Sequence, residues 1–418
     1  MKEVTIHRKK IYMGLDLGYD NAMVSFLKEE GGDPFTVSTR SDRECYQIPV
    51  SLYEGKNGYY LYGAEAQKRR QDQNGILYEQ LYLRAIDLIH TDGAGEAVER
   101  LALFVSRLVR LKDKLCQDAE YEICLSIAVP KLTPKAAEVF ALLREMLKET
   151  AETMFFMDYG ESFFYYTYHQ EKSIWAHDVA MFDFSDRQVR FTLLARESRT
   201  VPQIVVSGEK VWEVPALAED DGQEKDVFFA SILREAFAKR IISGVYLLGD
   251  GFDGNWLCDT LRVLGPNRRV FVGKNLYTKG AAYAGSILSR QGDWPYSYDC
   301  SYKVQANVSL KASVNGTQKF LPVVTAGENW FEVKKQFDVI LKGTPSVDIW
   351  IQERGERNAK IEPLLLENVW KRPERTRKIR ISVRMINQQK LYVTILDLGF
   401  GAFYPSTEKQ WKFEIDLY

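Results

Sequence analysis

A chain of 418 residues is too long for a single compact core, so two or three domains are expected. With 45% hydrophobic and 27% charged residues, the composition suits a soluble globular protein and excludes a disordered one. A formal net charge of -1 provides no global field to draw nucleic acid or an anionic membrane.

The chain opens with Ile11–Leu17 and Ala22–Leu27, two apolar strands around a turn at Gly18, with Phe35–Ser38 as a third. Leu101, Phe104, Val105, Leu108, Leu111 and Leu115 form one stripe on a helix from Gly95 to Leu115. Tyr121–Val129 is a near-continuous apolar run, the pattern of a strand buried on both faces. Thr133 serves as N-cap and Pro134 as first residue of a helix towards Glu149. A strand at Thr153–Met157 and an aromatic helix at Ser162–His169 complete this half.

The plan then restarts. Val179–Phe184 and Val189–Ala195 read as a second hairpin, with a third strand at Pro202–Val206. Helix Asp226–Arg240, strand Gly244–Leu248, a helix from Phe252, strand Val270–Val272 and helix Tyr277–Leu288 follow. Two successive halves imply an internal duplication with a cleft between lobes, a preferred place for ligands. Residues 1–290 form this α/β domain, lobe I over 1–177 and lobe II over 178–290.

Gln291–Asp299 reads as a linker. Over 300–418 almost every segment has strand periodicity: Val304–Val314, Lys319–Val324, Phe337–Leu341, Val347–Gln352, Ile379–Ile386 and Leu391–Asp397. Asn315-Gly316 and Asn387-Gln388-Gln389 supply turns, and the spacing predicts an antiparallel β-sandwich. The basic run Lys371–Arg380 is expected as a solvated loop, with an acidic partner as the alternative.

Cys45, Cys116, Cys124, Cys258 and Cys300 are scattered, which fits reduced thiols and a cytoplasmic location. His7, His90, His169 and His177 do not cluster, which argues against a histidine metal site. The N-terminus lacks an apolar leader and no stretch reaches membrane-spanning length, so no membrane is expected as a partner.

Taken in order, the motifs resemble the DnaK-type heat-shock chaperones of the actin/hexokinase/chaperone superfamily. Gly14-Leu15-Asp16-Leu17-Gly18 is similar to that family's first phosphate loop, and Phe182-Asp183-Phe184 to the start of the second. Gly63-Ala64-Glu65-Ala66, Ile127-Ala128-Val129-Pro130, Leu248-Gly249-Asp250-Gly251 and Gly280–Gly285 resemble later motifs of the same domain. Val347–Arg357 is similar to the run ending in Gly-Glu-Arg of the peptide-binding domain.

The resemblance implies an ATP site in which Asp16 and Asp183 hold hydrated magnesium, with Gly18, Gly249 and Gly251 beside the nucleotide. Glu161 corresponds to the catalytic-side glutamate only with a small shift, Tyr159 being the ungapped match. Val339, Leu341 and Val347 would flank a pocket for extended peptide. Simpler roles stand beside these: turn hydrogen bonds for the aspartates, a strand-to-helix turn for the glycines, ordinary core for the three aliphatics.

The same comparison exposes departures. Tyr19 and Asp20 replace small hydroxyl residues after Gly18, and a carboxylate there repels phosphate. Ser185-Asp186-Arg187 replaces a glycine triplet, and Gly is what lets backbone N–H groups approach an oxyanion. Arg190 stands where an aspartate is expected and Leu81 near a phosphate-contacting lysine, while Lys68, Arg69 and Arg70 read as solvated. Glu197–Ser243 is too short for the subdomain that walls the adenine pocket, and no helical lid is expected.

The sequence therefore reads as a chaperone-like pseudo-ATPase, a protein- or peptide-binding scaffold with hydrolysis lost and ATP with magnesium bound only if the vestigial site persists. The alternatives are a rebuilt ATPase using Asp16, Asp183 and Glu161, and an actin-like assembly protein.

Overall fold

The computed structural model describes residues 9–29, 31–39, 45–114, 121–185, 187–197, 200, 202–215, 221–290, 294–367, 372–373 and 375–418. By internal contacts the chain divides into two units, Met1–Ser198 with Val205–Tyr296, and Arg199–Ile204 with Ser297–Tyr418.

In the first half of unit one the strands are β1 (Lys9–Leu17), β2 (Asn21–Lys28), β3 (Phe35–Thr36), β4 (Ile48–Pro49), β5 (Ser51–Gly55), β6 (Tyr60–Tyr62), β7 (Gly75–Glu79), β8 (Tyr121–Val129) and β9 (Thr153–Asp158). The main sheet runs β3-β2-β1-β8-β9, with β4 also on β2. β1 pairs antiparallel with β2 but parallel with β8, which pairs parallel with β9. Its central strand is buried throughout from Ile11 to Leu17, which accounts for the unbroken apolar run there.

The second half has β10 (Asp178–Ser185), β11 (Gln188–Glu197), β12 (Gln203–Glu213), β13 (Ile242–Leu248) and β14 (Arg269–Gly273). These run β14-β13-β10-β11-β12, again with one antiparallel hairpin and two parallel neighbours. Strand for strand this is the first sheet repeated, so the duplication expected from sequence is present in the topology. The halves differ in their insertions. Between β3 and β8 lie the small sheet β6-β5-β7 and helices Leu81–Leu88 and Ala94–Val109. Between β12 and β13, among the described residues, only helix Gly222–Ala236 intervenes.

Each half ends in a long helix after its outermost parallel strand: Tyr159–His169 after β9 and Leu276–Leu288 after β14. The two helices meet closely because small residues face the contact. A Cβ on Gly280 would sit 2.1 Å from the Ser162 carbonyl oxygen, and one on Gly14 would sit 1.9 Å from that of Thr278. Ser162 Oγ donates to Tyr277 O (2.6 Å), and Thr278 Oγ1 donates to Gly14 O (2.8 Å). The closing helix of lobe II is thereby bolted onto the central strand of lobe I.

Caps follow the sequence: Thr133 Oγ1 accepts from Ala136 N at 3.2 Å, with Pro134 first in helix Pro134–Met146. Helix Tyr159–His169 starts three residues earlier than its apolar pattern suggests, because Asp158 caps it by accepting from Glu161 N (2.7 Å). The helix expected to reach Leu115 ends at Val109 in a 3-10 turn over Arg110–Lys114, and Leu115 lies outside the described residues.

Strand β15 (Tyr296–Asp299) spans the division between the units, and unit two contains β16 (Ala306–Val314), β17 (Thr317–Val324), β18 (Lys334–Ile340), β19 (Ser346–Glu353), β20 (Lys360–Leu365), β21 (Lys378–Met385), β22 (Lys390–Asp397) and β23 (Gln410–Asp416). Two four-stranded antiparallel sheets run β17-β16-β19-β20 and β18-β21-β22-β23. One hydrophobic cluster takes alternate residues from both, among them Val308, Leu310 and Ile349 from the first and Ile381, Val393 and Ile395 from the second.

Two expectations need correcting. Of the segment read as linker, Tyr296–Asp299 is a strand, and 291–293 lie outside the described residues. The basic run is not simply solvated: Arg372 is half-buried and paired with Asp397, and Arg380 pairs with Asp338. Lys371 and Glu374 lie outside the described residues.

Candidate functional site

The duplicated hairpins place Asp16 and Asp183 at equivalent points. Asp16 faces Met23 across its hairpin and Ala128 on the parallel side; Asp183 faces Arg190 and Leu248. Both line a cavity of about 230 Å³ between the lobes, with Gly18 and Gly249. That volume lies below the roughly 300–1,000 Å³ of small-molecule pockets.

The floor of the cavity is a pair of tyrosines. Tyr159 opens the last helix of lobe I and donates its hydroxyl to Asp16 Oδ1 at 2.6 Å. Tyr277 is the second residue of the last helix of lobe II and donates to Asp183 Oδ2 at 3.0 Å. The rings stack with centroids 3.8 Å apart and planes 6° from parallel. Ser185 Oγ donates to the remaining Asp183 oxygen, Oδ1, at 2.6 Å. Each carboxylate is thus sealed by a hydroxyl from its own lobe, and the seals are welded by ring stacking.

Burial dominates the electrostatics. It pushes the Asp16 carboxyl up to about 7, against the lowering effect of the Tyr159 hydrogen bond and with the charge of Asp183 adding to the rise. Burial, and then the facing carboxylates, hold both tyrosine hydroxyls well above their ordinary range, so each stays a donor. Asp20 and Asp250 also line the cavity, against Arg190 and Lys274. Lys274 is held by Asp253 at 2.7 Å, and Asp20 accepts from Gln80 Nε2 at 2.9 Å.

This arrangement leaves fewer acceptor positions for the hydrated magnesium that the resemblance implies. Hydroxyl hydrogens take one lone pair on one Asp16 oxygen and on each Asp183 oxygen, so a hydrated cation would compete with the tyrosines and Ser185 for the remaining acceptor positions. Among the described residues no group of three or more His, Cys, Asp or Glu side chains is arranged to hold a metal.

The other expected residues fall as follows. Glu161 is not in the cavity: it is buried at the third helical position, and Tyr159 lines the cavity. Gly249 has φ 95°, and a Cβ there would lie 2.4 Å from Phe184 O; one on Gly251 would lie 2.4 Å from the Phe184 ring. Packing of the strand-to-helix turn against the second hairpin therefore accounts for both glycines. Leu81 is buried at a helix start, while Arg69 and Arg70 are exposed and paired with Asp72 and Glu79. Asp186 lies outside the described residues. Leu341 and Val347 are buried in the cluster of unit two, and Val339 packs against it. Tyr277 was missed as a site residue; its signal was position, since it lies in the first turn of the helix equivalent to the one Tyr159 opens.

Residues 33–301 match the C-terminal model of a family of unknown function, DUF5716. The chain belongs to that family. A further domain of unknown function, DUF8552, matches residues 303–417. The DUF5716 match takes in both lobes from β3 onwards, and the DUF8552 match takes in all strands of the two antiparallel sheets. Neither family model is that of a heat-shock chaperone. No curated protein matches the chain. Among solved structures it is similar to a non-polymerising mutant of MamK bound to AMPPNP, at 13% identity and a TM-score of 0.42, over 68% of this chain and 100% of that one. No helix among the described residues of this DUF5716 protein is long and apolar enough to cross a membrane.

Proposed function

We propose that this protein is a non-hydrolysing scaffold built on a duplicated ATPase-type fold, with unit two, its sheets stacked as an antiparallel sandwich like that of a chaperone substrate domain, holding protein segments. The observation that carries the first half is the tyrosine pair: Tyr159 and Tyr277 seal Asp16 and Asp183, the two carboxylates that would have to meet a metal-bound phosphate. The fold keeps its hairpins and closing helices because they are its core, whereas the tyrosine hydroxyls compete with a hydrated cation for the carboxylate oxygens.

A rebuilt ATPase is the second reading, favoured by the convergence of Asp16, Gly18, Asp183 and Gly249 on one cavity. Thermal unfolding with and without millimolar Mg-ATP, read together with phosphate release, separates them. A ligand at a hundred times its dissociation constant stabilises the native state by about 2.7 kcal/mol. The scaffold reading expects no phosphate release; phosphate release together with a shift, both abolished by Asp183→Ala, would establish the ATPase instead.

A further inference from the structure

In the sheet β18-β21-β22-β23, β18 is an edge strand. Leu341 N donates to Arg377 O in the register that pairs Val339 with Ile379 and Phe337 with Ile381. Hydrogen-bonded pairs alternate in an antiparallel ladder, so the odd residues of β18 bond to β21. Lys334, Gln336, Asp338 and Ile340 then direct their backbone groups away from it. β18 has no proline, unlike the edge strands β17 and β20, which carry Pro322 and Pro363.

The two faces beside this edge differ in chemistry. On one face the half-buried Phe337 and Val339 lie at the rim of the hydrophobic cluster. On the other, Lys334, Gln336, Ser382, Arg384, Tyr392 and Thr394 line a cavity of about 370 Å³. Lys335 pairs with Glu328 and Arg380 with Asp338, but no carboxylate lies within ion-pair range of Lys334 or Arg384 among the described residues. Arg384 instead lies over the Tyr392 ring, 4.4 Å from its centroid. The opposite edge, β23, is different: Lys390 reaches both Glu414 and Asp416, so charge there is internally balanced.

We propose that β18 is the docking edge for an extended acidic peptide, added as a further strand whose alternate residues are acidic over Lys334 and Arg384 and apolar over Phe337 and Val339. Main-chain hydrogen bonds to the outward groups of Gln336 and its neighbours set the strand in place, and the side-chain alternation gives selectivity. Two unpaired cations at one end of the edge favour carboxylates there and repel a basic segment. The inference rests on the protein-holding half of the function proposed above.

The test uses the full chain and three fluorescein-labelled octapeptides: alternating glutamate and valine, alternating lysine and valine, and the acidic peptide with two valines replaced by proline. Fluorescence anisotropy should show binding of the first, none of the second, and a loss of about tenfold for the third, which cannot complete the ladder. Lys334→Glu with Arg384→Glu should weaken the acidic peptide by at least about tenfold through charge reversal. Gln336→Pro should do the same by removing an outward N–H, a position where an edge strand tolerates proline; a melting curve checks that each variant folds. Acidic-peptide binding that survives both variants would overturn the proposal while leaving the scaffold reading intact, because another surface then holds the peptide. Full competition by a single-stranded oligonucleotide would overturn it too, as would a β18-mediated homodimer dispersed by the charge reversal. A Mg-ATP shift, by contrast, bears only on the reading of the cleft.

Discussion

Tyr159 lies flat on Tyr277, ring centroids 3.8 Å apart, and each hands its hydroxyl to the aspartate of its own lobe. Tyr159→Phe keeps the stack and removes only the donor to Asp16, leaving a buried carboxyl short of a partner. A stability loss of about 1–3 kcal/mol is expected from that change. Urea denaturation measures it, and Tyr277→Phe should cost less, because Asp183 keeps the hydrogen bond from Ser185. Equal midpoints for Tyr159→Phe and the parent would contradict the seal.

Asp16 makes stability fall as pH rises. Its carboxyl is raised to about 7 in the folded chain, against an unfolded value of about 3.9. Below the unfolded value both states hold the proton and the group costs nothing. Between pH 4 and 7 the unfolded chain releases its proton while the folded chain retains it, so folding becomes progressively less favourable. Above the folded value the whole cost, on the order of 4 kcal/mol, is present. Asp16→Asn, which still accepts from Tyr159, should flatten this slope and be more stable than the parent at pH 8. Parallel pH–stability curves for the two chains would refute the assignment.

Both hairpins and the duplication were legible because buried parallel strands impose continuous apolar runs, as in Ile11–Leu17 and Tyr121–Val129. The tyrosine seal was not. Tyr159 and Tyr277 sit at helix starts after different strands, and nothing local ties a residue to a carboxylate more than ninety positions away. The packing role of two glycines was hidden for a related reason. The lack of a Cβ at Gly249 and Gly251 answers to Phe184, a contact visible only once β10 and β13 lie side by side. Strands β20 and β23 escaped notice because Pro363 and the charged alternation Lys412, Glu414, Asp416 hide the pattern.

The closest packing in unit one gives the sharpest stability test. Gly280→Ala would set a methyl 2.1 Å from the Ser162 carbonyl oxygen, and Gly14→Ala one at 1.9 Å from that of Thr278. Both clashes are with backbone, which cannot rotate aside, so helix Leu276–Leu288 must shift. A loss of about 2–4 kcal/mol is expected for each, near the upper range of overpacking. Gly95→Ala is the control, since nothing lies within 4 Å of its added Cβ and it sits near a helix start. Thermal melts should rank the control above both core variants.

Unit two has its own internal anchor at Arg372 and Asp397, whose side chains are 9% and 6% exposed. Arg372 grips both carboxylate oxygens at 3.0 and 2.9 Å, while Thr407 N, Thr407 Oγ1 and Gly399 N also donate to Asp397. Burial raises the Asp397 carboxyl, but the Thr407, Arg372 and Gly399 hydrogen bonds outweigh it and the net direction is down. A lowered folded value means that the stabilisation is present above about pH 4 and is lost on acidification, as the folded chain is forced to take up a proton. Arg372→Met should cost about 3–5 kcal/mol at neutral pH by leaving the carboxylate buried and unpaired. Replacing both partners, Arg372→Met with Asp397→Leu, removes the stranded charge but also deserts the Thr407 and Gly399 donors. It should therefore recover only part of the loss, and chemical denaturation at pH 7 and pH 4 separates the two effects. Full recovery in the double variant would show that the donors on Gly399 and Thr407 contribute nothing.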